Sequence, residues 1–295
     1  MLTIRTDLAM EAHQLWRENT EKTTRLSGVR ARDETAEGFP LHRVEILDDE
    51  GEKALGKPRG TYLTMDISTF WRKNGDNFFR AVEAFSAQLE PMLPEEGPVL
   101  VAGLGNYAMT PDALGPHTVS HLLVTRHLGE ILPMLRPVSA LAAGVLGTTG
   151  IEVAEWVRGV AQRVKPAAVV LVDALAVRDL GRLCNTIQLS DTGLVPGSGV
   201  GNHRMALDEK TLGIPVISVG VPTVVDVNTI ARDILAEAGK GAGEPGCLRG
   251  QGKNLFVTPD SIDQKIRELG KVLGYGISMA LQPGLAFDDL VGLME

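Results

Sequence analysis

Two aspartates stand where an acid–base pair could form. Asp112 follows the apolar run Pro98-Val99-Leu100-Val101-Ala102-Gly103, inside Gly103-Leu104-Gly105-Asn106-Tyr107-Ala108-Met109-Thr110-Pro111-Asp112. Asp173 ends Ala167-Ala168-Val169-Val170-Leu171-Val172-Asp173, a run with no other charge. If the two runs are neighbouring strands, both carboxylates meet at one rim. A close carboxylate pair resists carrying two negative charges, so one acid keeps its proton while its partner acts as base. Such a pair can activate water and protonate a leaving amine. Each aspartate also has a plainer reading. Thr110-Pro111-Asp112 precedes a helical stretch, where Thr or Asp caps the first turn. Thr258-Pro259-Asp260 repeats that arrangement, and Asp260 reads as a cap. Asp173 can serve to fix a turn at a strand end. On the residues alone both readings stay open.

Other chemistry-bearing residues carry weaker signals. Asp191-Thr192-Gly193 copies the triplet of pepsin-like proteases, but those are all-β and this pattern is not. The triplet opens a glycine-rich loop, 190–202, whose free N–H groups can wrap a peptide backbone or an anion. That loop lacks the Lys-Ser/Thr of a phosphate-binding loop, and Gly103-Leu104-Gly105 lacks the third glycine of a dinucleotide fingerprint. His117, His121 and His127 fall on the stretch after Asp112. His117 and His121 have the four-residue spacing of zinc ligands, but no Glu follows His117, so a surface or packing role is expected. No Gly-x-Ser-x-Gly elbow is present, which leaves Ser198 as a loop residue. Cys184 and Cys247 have no metal-like spacing and read as reduced thiols.

The elements that must position these residues alternate between strand and helix. Strands are expected at 42–46, 61–65, 98–103, 138–142, 167–173 and 214–220, and helices at 8–16, 71–93, 113–127, 151–164 and 260–281. This alternation implies a mostly parallel sheet covered on both faces, with its sites at the carboxyl ends of strands. The stretch at about 40–70 reads as a small additional β region, and 239–253 as a flexible glycine-rich loop. The chain has 295 residues, 44% hydrophobic and 22% charged, with a net charge of −8. That is ordinary globular composition. With no long basic run it gives no footprint for nucleic acid. No apolar run approaches a membrane span and the first residues are too polar for a secretory signal, so a cytoplasmic protein is expected.

Several segments together resemble the germination protease family of spore-forming bacteria. They are Arg5-Thr6-Asp7-Leu8-Ala9, Gly103-Leu104-Gly105-Asn106, Thr110-Pro111-Asp112-Ala113-Leu114-Gly115-Pro116, Leu123-Val124-Thr125-Arg126-His127-Leu128, Val172-Asp173-Ala174-Leu175-Ala176, Thr186-Ile187-Gln188, the loop from Ser190 to Asn202, and Gly220-Val221-Pro222-Thr223-Val224-Val225-Asp226. The resemblance implies a three-layer α/β/α sandwich similar to hydrogenase-maturation proteases. It also implies an atypical aspartic endopeptidase that degrades small acid-soluble spore proteins early in germination, in the forespore and spore core. Asp112 and Asp173 map by motif onto the family's essential aspartates. Asp191, Asn106, Gly197, Ser198 and Gly199 are carried as supporting or substrate-binding residues. No cofactor or metal is implied, and a homotetramer made as an inactive precursor is.

The family's substrates are cut after an acidic residue followed by a bulky apolar residue and alanine, a pattern that Arg5-Thr6-Asp7-Leu8-Ala9 copies. Self-cleavage between Asp7 and Leu8 is therefore expected, making residues 1–7 a propeptide and 8–295 a single peptidase domain. The leader is short for the family, and the region 235–255 looks shortened. Alternatives are a metal-assisted peptidase of the maturation type and a non-catalytic peptide-binding module using the loop 190–202.

Overall fold

In the computed structural model, residues 6–19, 26–72, 76–198, 204–237 and 255–294 are described. The strands are β1 (Val29–Ala36), β2 (Phe39–Ile46), β3 (Gly60–Asp66), β4 (Val99–Leu104), β5 (Val138–Ala143), β6 (Ala168–Val177), β7 (Thr186–Ser190), β8 (Val216–Asp226) and β9 (Phe256–Val257). They form one sheet in the order β1-β2-β3-β7-β8-β6-β4-β5, with β9 added to the end of β8. The helices are α1 (Ala9–Asn19), α2 (Asp49–Leu55), α3 (Asn77–Leu89), α4 (Leu114–Val119), α5 (Leu146–Thr149), α6 (Val153–Val164), α7 (Glu209–Leu212), α8 (Val227–Glu237), α9 (Ile262–Leu281) and α10 (Phe287–Met294).

The layers follow from the side-chain period of two along each strand. On β6, Val170 and Val172 join a core with Val82, Phe85 and Leu89 of α3, Leu114 of α4 and Leu269, Val272 and Leu273 of α9. Val169 and Leu171 face the other way and pack with Val153, Ala154, Val157 and Ala161 of α6. Both faces of β6 are therefore covered, and Val169 to Val172 are fully buried. Each such side chain is worth about 1.5–3 kcal/mol when removed from water. A third cluster, Ala9, Val44, Ile46, Leu55 and Tyr62, seats α1 and α2 on β2 and β3. The result is the expected three-layer α/β/α arrangement. Among the described residues no helix is long and apolar enough to cross a membrane.

The sheet is mixed, which corrects the expectation of a mostly parallel one. Parallel pairing is confined to β5-β4-β6-β8. From β8 outward every pairing is antiparallel: β8 with β7, β7 with β3, β3 with β2 and β2 with β1. The strand β7 follows β6 after only a short 3₁₀ turn, Leu180–Arg182. A parallel partner needs a long crossover, and so short a connection returns the chain antiparallel. The segment at about 40–70 supplies β2 and β3, which continue this same sheet.

Three further expectations change in detail. The helix after Asp112 ends at Val119 rather than His127. Beyond it the Leu123 N–H bonds to Ser278 Oγ at 2.9 Å and the Thr125 N–H to the Val138 carbonyl at 3.1 Å, partners that a continuing helix could not reach. Strand β6 does not stop at Asp173 but runs on to Val177, pairing with β8 throughout. Asp260 is not a cap, since Ser261 holds the N-cap position of α9 without a side-chain bond. The glycine-rich stretch 239–253 lies outside the described residues.

Candidate active site

Asp112 is held by the turn that leaves β4. A single 3₁₀ turn, Thr110–Asp112, follows the strand, and the Asn106 N–H donates to Asp112 Oδ2 at 2.8 Å. Asn106 Oδ1 accepts from the Ala108 N–H at 3.0 Å and fixes that loop as an Asx turn. Gly105 makes the geometry possible. Its φ is 115°, and a Cβ there would lie 1.9 Å from the Asp112 carbonyl oxygen. Helix α4 then lies directly on β4, because a Cβ at Gly103 or Gly115 would meet the other segment's backbone within 2.4 Å. Asp112 caps nothing: the N-cap of α4 is Ala113, with no side-chain bond.

Asp173 lies mid-strand on β6, opposite Gly220 of β8 and next after Val172, which pairs with Gly103 of β4. It shares its face with Val169 and Leu171, at the carboxyl ends of the parallel strands, where α/β sheets place their sites. Its carboxylate is buried, 6% exposed, and Oδ1 accepts from the Ala174 N–H at 2.9 Å.

The two aspartates line one cavity of about 780 Å³. Burial pushes the Asp173 carboxyl well above the usual carboxylate range, and the neighbouring charge of Asp112 pushes it further. Burial raises Asp112 too, but the Asn106 N–H bond and the positive charge of Arg204 act against that rise. Asp173 is therefore the carboxyl pushed further toward its protonated form, and Asp112 the one better able to hold a negative charge. This asymmetry is what a base and an acid sharing one site require.

The remaining expected residues divide between the site and its frame. Asn106, Gly197 and Ser198 line the cavity; Gly199 lies outside the described residues. Asp191 is not on the cavity wall. Its Oδ1 accepts from the Thr61 N–H at 2.7 Å and ties the end of β7 to β3. Ser190 Oγ and Thr192 Oγ1, which do line the cavity, are 2.6 Å apart. Cys184 is buried, and burial pushes its thiol up to about 11, the wrong direction for a nucleophile. His117 stacks near the Tyr107 ring, and both His117 and His121 pack against the glycines of α9. Among the described residues no group of three His, Cys, Asp or Glu side chains is arranged to hold a metal ion.

Asp7 also lines the cavity. Its N–H donates to the Ala176 carbonyl at 2.9 Å, and its Oδ2 accepts from the Ala176 N–H at 2.8 Å. Leu8 and Ala9, just beyond, are fully buried. Four residues that sequence reasoning missed complete the wall: Lys57, Gln188, Arg204 and Thr223. The Thr223 hydroxyl is fully buried and has no hydrogen-bond partner among the described residues. It sits where β8 bulges opposite Leu175 and Ala176. Only Gln188 and Thr223 fell in quoted motifs, and nothing in their types marked them as site residues.

Comparison with known proteins decides the family. A model of the germination protease family matches residues 9–245. This chain belongs to the germination protease family. The germination protease of Caldanaerobacter subterraneus subsp. tengcongensis is 43% identical over 326 aligned positions, covering 100% of this chain and 99% of that one. That of Clostridium perfringens (strain ATCC 13124) is 41% identical, covering 98% of each. Among solved structures, the [NiFe] hydrogenase maturation protease HycI from Thermococcus kodakarensis KOD1 is similar at a TM-score of 0.39 and 20% identity. That match covers 66% of this chain and 99% of HycI. Membership of the germination proteases makes the chain a protease of spore germination, as its sequence motifs had suggested.

Proposed function

We propose that the chain is an endopeptidase that begins the degradation of small acid-soluble spore proteins, with Asp112 as general base and Asp173 as general acid. The carrying observation is the pair of carboxyls on one cavity wall, the deeper one raised by burial and by its partner's charge. In the reaction, Asp112 takes a proton from water as its oxygen attacks the peptide carbonyl carbon. Asp173 gives its proton to the amide nitrogen, and the C–N bond breaks to release a neutral amine and a carboxylic acid. The two carboxyls end with their protons exchanged and must re-equilibrate before the next turnover. Asn106 and Gly105 act by holding Asp112 in place, and Arg204 by favouring its charged form.

The same reading includes self-cleavage between Asp7 and Leu8, with residues 1–7 as a propeptide, and assembly as a homotetramer in the spore core. The placement of Asp7 on the cavity wall supports the first of these. Incubating the purified chain with small acid-soluble spore proteins tests the proposal. Cuts after acidic residues, absent from both Asp112→Asn and Asp173→Asn chains that remain folded, are expected. Full activity in either variant would overturn the two-aspartate mechanism. A mature N-terminus other than Leu8 would overturn the processing site, and a monomer by light scattering the assembly.

A further inference from the structure

Residues 6–9 are held by groups from four separate parts of the fold. Ser198 Oγ, from the loop after β7, donates to Asp7 Oδ1 at 3.0 Å, while the Ala176 N–H on β6 donates to Oδ2. Lys57, between α2 and β3, places its ammonium 3.4 Å from the Thr6 carbonyl. Its basicity, lowered by burial, is partly restored by the charges of Asp7 and Glu11. Gln188, buried on β7, spans the next residue: Nε2 donates to the Asp7 carbonyl at 3.1 Å, and Oε1 accepts from the Ala9 N–H at 2.8 Å. One side chain thus reads the backbone on both sides of Leu8, as a neighbouring strand would.

Anchoring the start of α1 does not require this cradle. Glu11 already does so, accepting from the Arg178 and Asp179 N–H groups and from the Arg182 guanidinium at 2.8–3.0 Å. Around Asp7, by contrast, Ser198 Oγ and the Ala176 N–H donate to the carboxylate and the Lys57 ammonium sits on the preceding Thr6 carbonyl, with Lys57, Ser198, Ala176 and Asp7 all on the wall of the cavity that holds Asp112 and Asp173.

We propose that Lys57, Ser198 and the Ala176 N–H form the specificity pocket for an acidic side chain just before the scissile bond of a peptide substrate. Gln188 holds that peptide's backbone across the following residue. Thr6 to Ala9 occupy the pocket here as a stand-in for substrate. This inference rests on the protease reading and adds to it the residues that choose the substrate.

The test uses the full chain and two peptides, one copying residues 3–12 and one carrying the Asp7→Asn change, with cuts located by mass spectrometry. In the wild-type chain, kcat/KM for the Asp peptide should exceed that for the Asn peptide by about 30-fold, the scale of a lost charge-assisted contact. In Lys57→Met that ratio should fall to within about 3-fold, through loss on the Asp peptide. Ser198→Ala, at an exposed loop position, should lower it by about 5-fold and keeps the test open should Lys57→Met not fold. A ratio left unchanged in the folded variants overturns the pocket alone. A wild-type chain that cuts neither peptide overturns the protease mechanism, and the pocket with it.

Discussion

Replacing Asp173 with asparagine should remove activity and strengthen the fold at once. The amide has the carboxyl's shape and keeps an oxygen to accept from the Ala174 N–H, which donates at 2.9 Å. What it removes is an ionisable group held at 6% exposure beside the carboxylates of Asp112 and Asp7. Folding raises the Asp173 pKa above its ordinary value of 3.8. Below that value the carboxyl is protonated in both folded and unfolded chains and costs nothing. As pH rises past it the unfolded chain ionises while the folded one resists, so stability is lost until the raised folded value is reached. Each unit of that rise costs about 1.4 kcal/mol at a pH above both values. Removing so poorly solvated an acid is worth about 1–3 kcal/mol. For a chain of 295 residues this is about 2–5 °C in Tm. Thermal melts of wild type and variant at pH 8 and pH 4 should show the gain at pH 8 and little of it at pH 4. Cleavage should meanwhile fall by about 10²–10⁴. A variant less stable than wild type at pH 8, or one that still cuts, would refute the reasoning.

Other outcomes follow from the same geometry. Cleavage should be bell-shaped in pH, falling on the acid side as Asp112 is protonated and on the alkaline side as Asp173 ionises; a pH–rate profile flat across both limbs contradicts this. Gly105→Ala should cost more than about 2 kcal/mol in urea unfolding and most of the activity, because its φ of 115° and the 1.9 Å approach leave no room for a Cβ. Gln188→Leu should leave the Ala9 N–H unpaired in a buried setting, costing about 1–3 kcal/mol, and hydrogen exchange should show faster opening at residues 7–9. Glu11→Gln should weaken the anchor of α1 on Arg182 by about 1–3 kcal/mol, measured by unfolding, without moving the pH–rate limbs.

The parallel half of the fold was legible because its central strands β4 and β6, buried on both faces, read as apolar runs. The antiparallel half was not. Strand β1 reads Val-Arg-Ala-Arg-Asp-Glu-Thr-Ala, and its charges belong to an edge strand that pairs them across to β2, as Arg30 does with Glu45 at 3.0 Å. A charged aspartate also looked like the end of β6. The strand continues because Ala174 to Val177 still pair with β8, and the charge that interrupts the apolar run belongs to the site. For the candidate site, the sequence singled out Asp112 and Asp173 but could not supply their surroundings. Gln188 meets residues 7 and 9 across about 180 positions, and Lys57 reaches Thr6 across 51. Contacts of that separation have no local spacing to betray them. Asp191 illustrates the reverse case, a suggestive triplet whose carboxylate turns out to tie two strands together.

The proposed mechanism requires Asp112 and Asp173 to act as one coupled acid–base pair. Carbon-13 NMR of the labelled side-chain carboxyls, followed as a function of pH in wild type and in Asp112→Asn, measures this directly. Asp173 should titrate above Asp112, well beyond 3.8, and Asp112→Asn should move the Asp173 midpoint down. Two carboxyls titrating at ordinary values, with the Asp173 midpoint unmoved in Asp112→Asn, would contradict it.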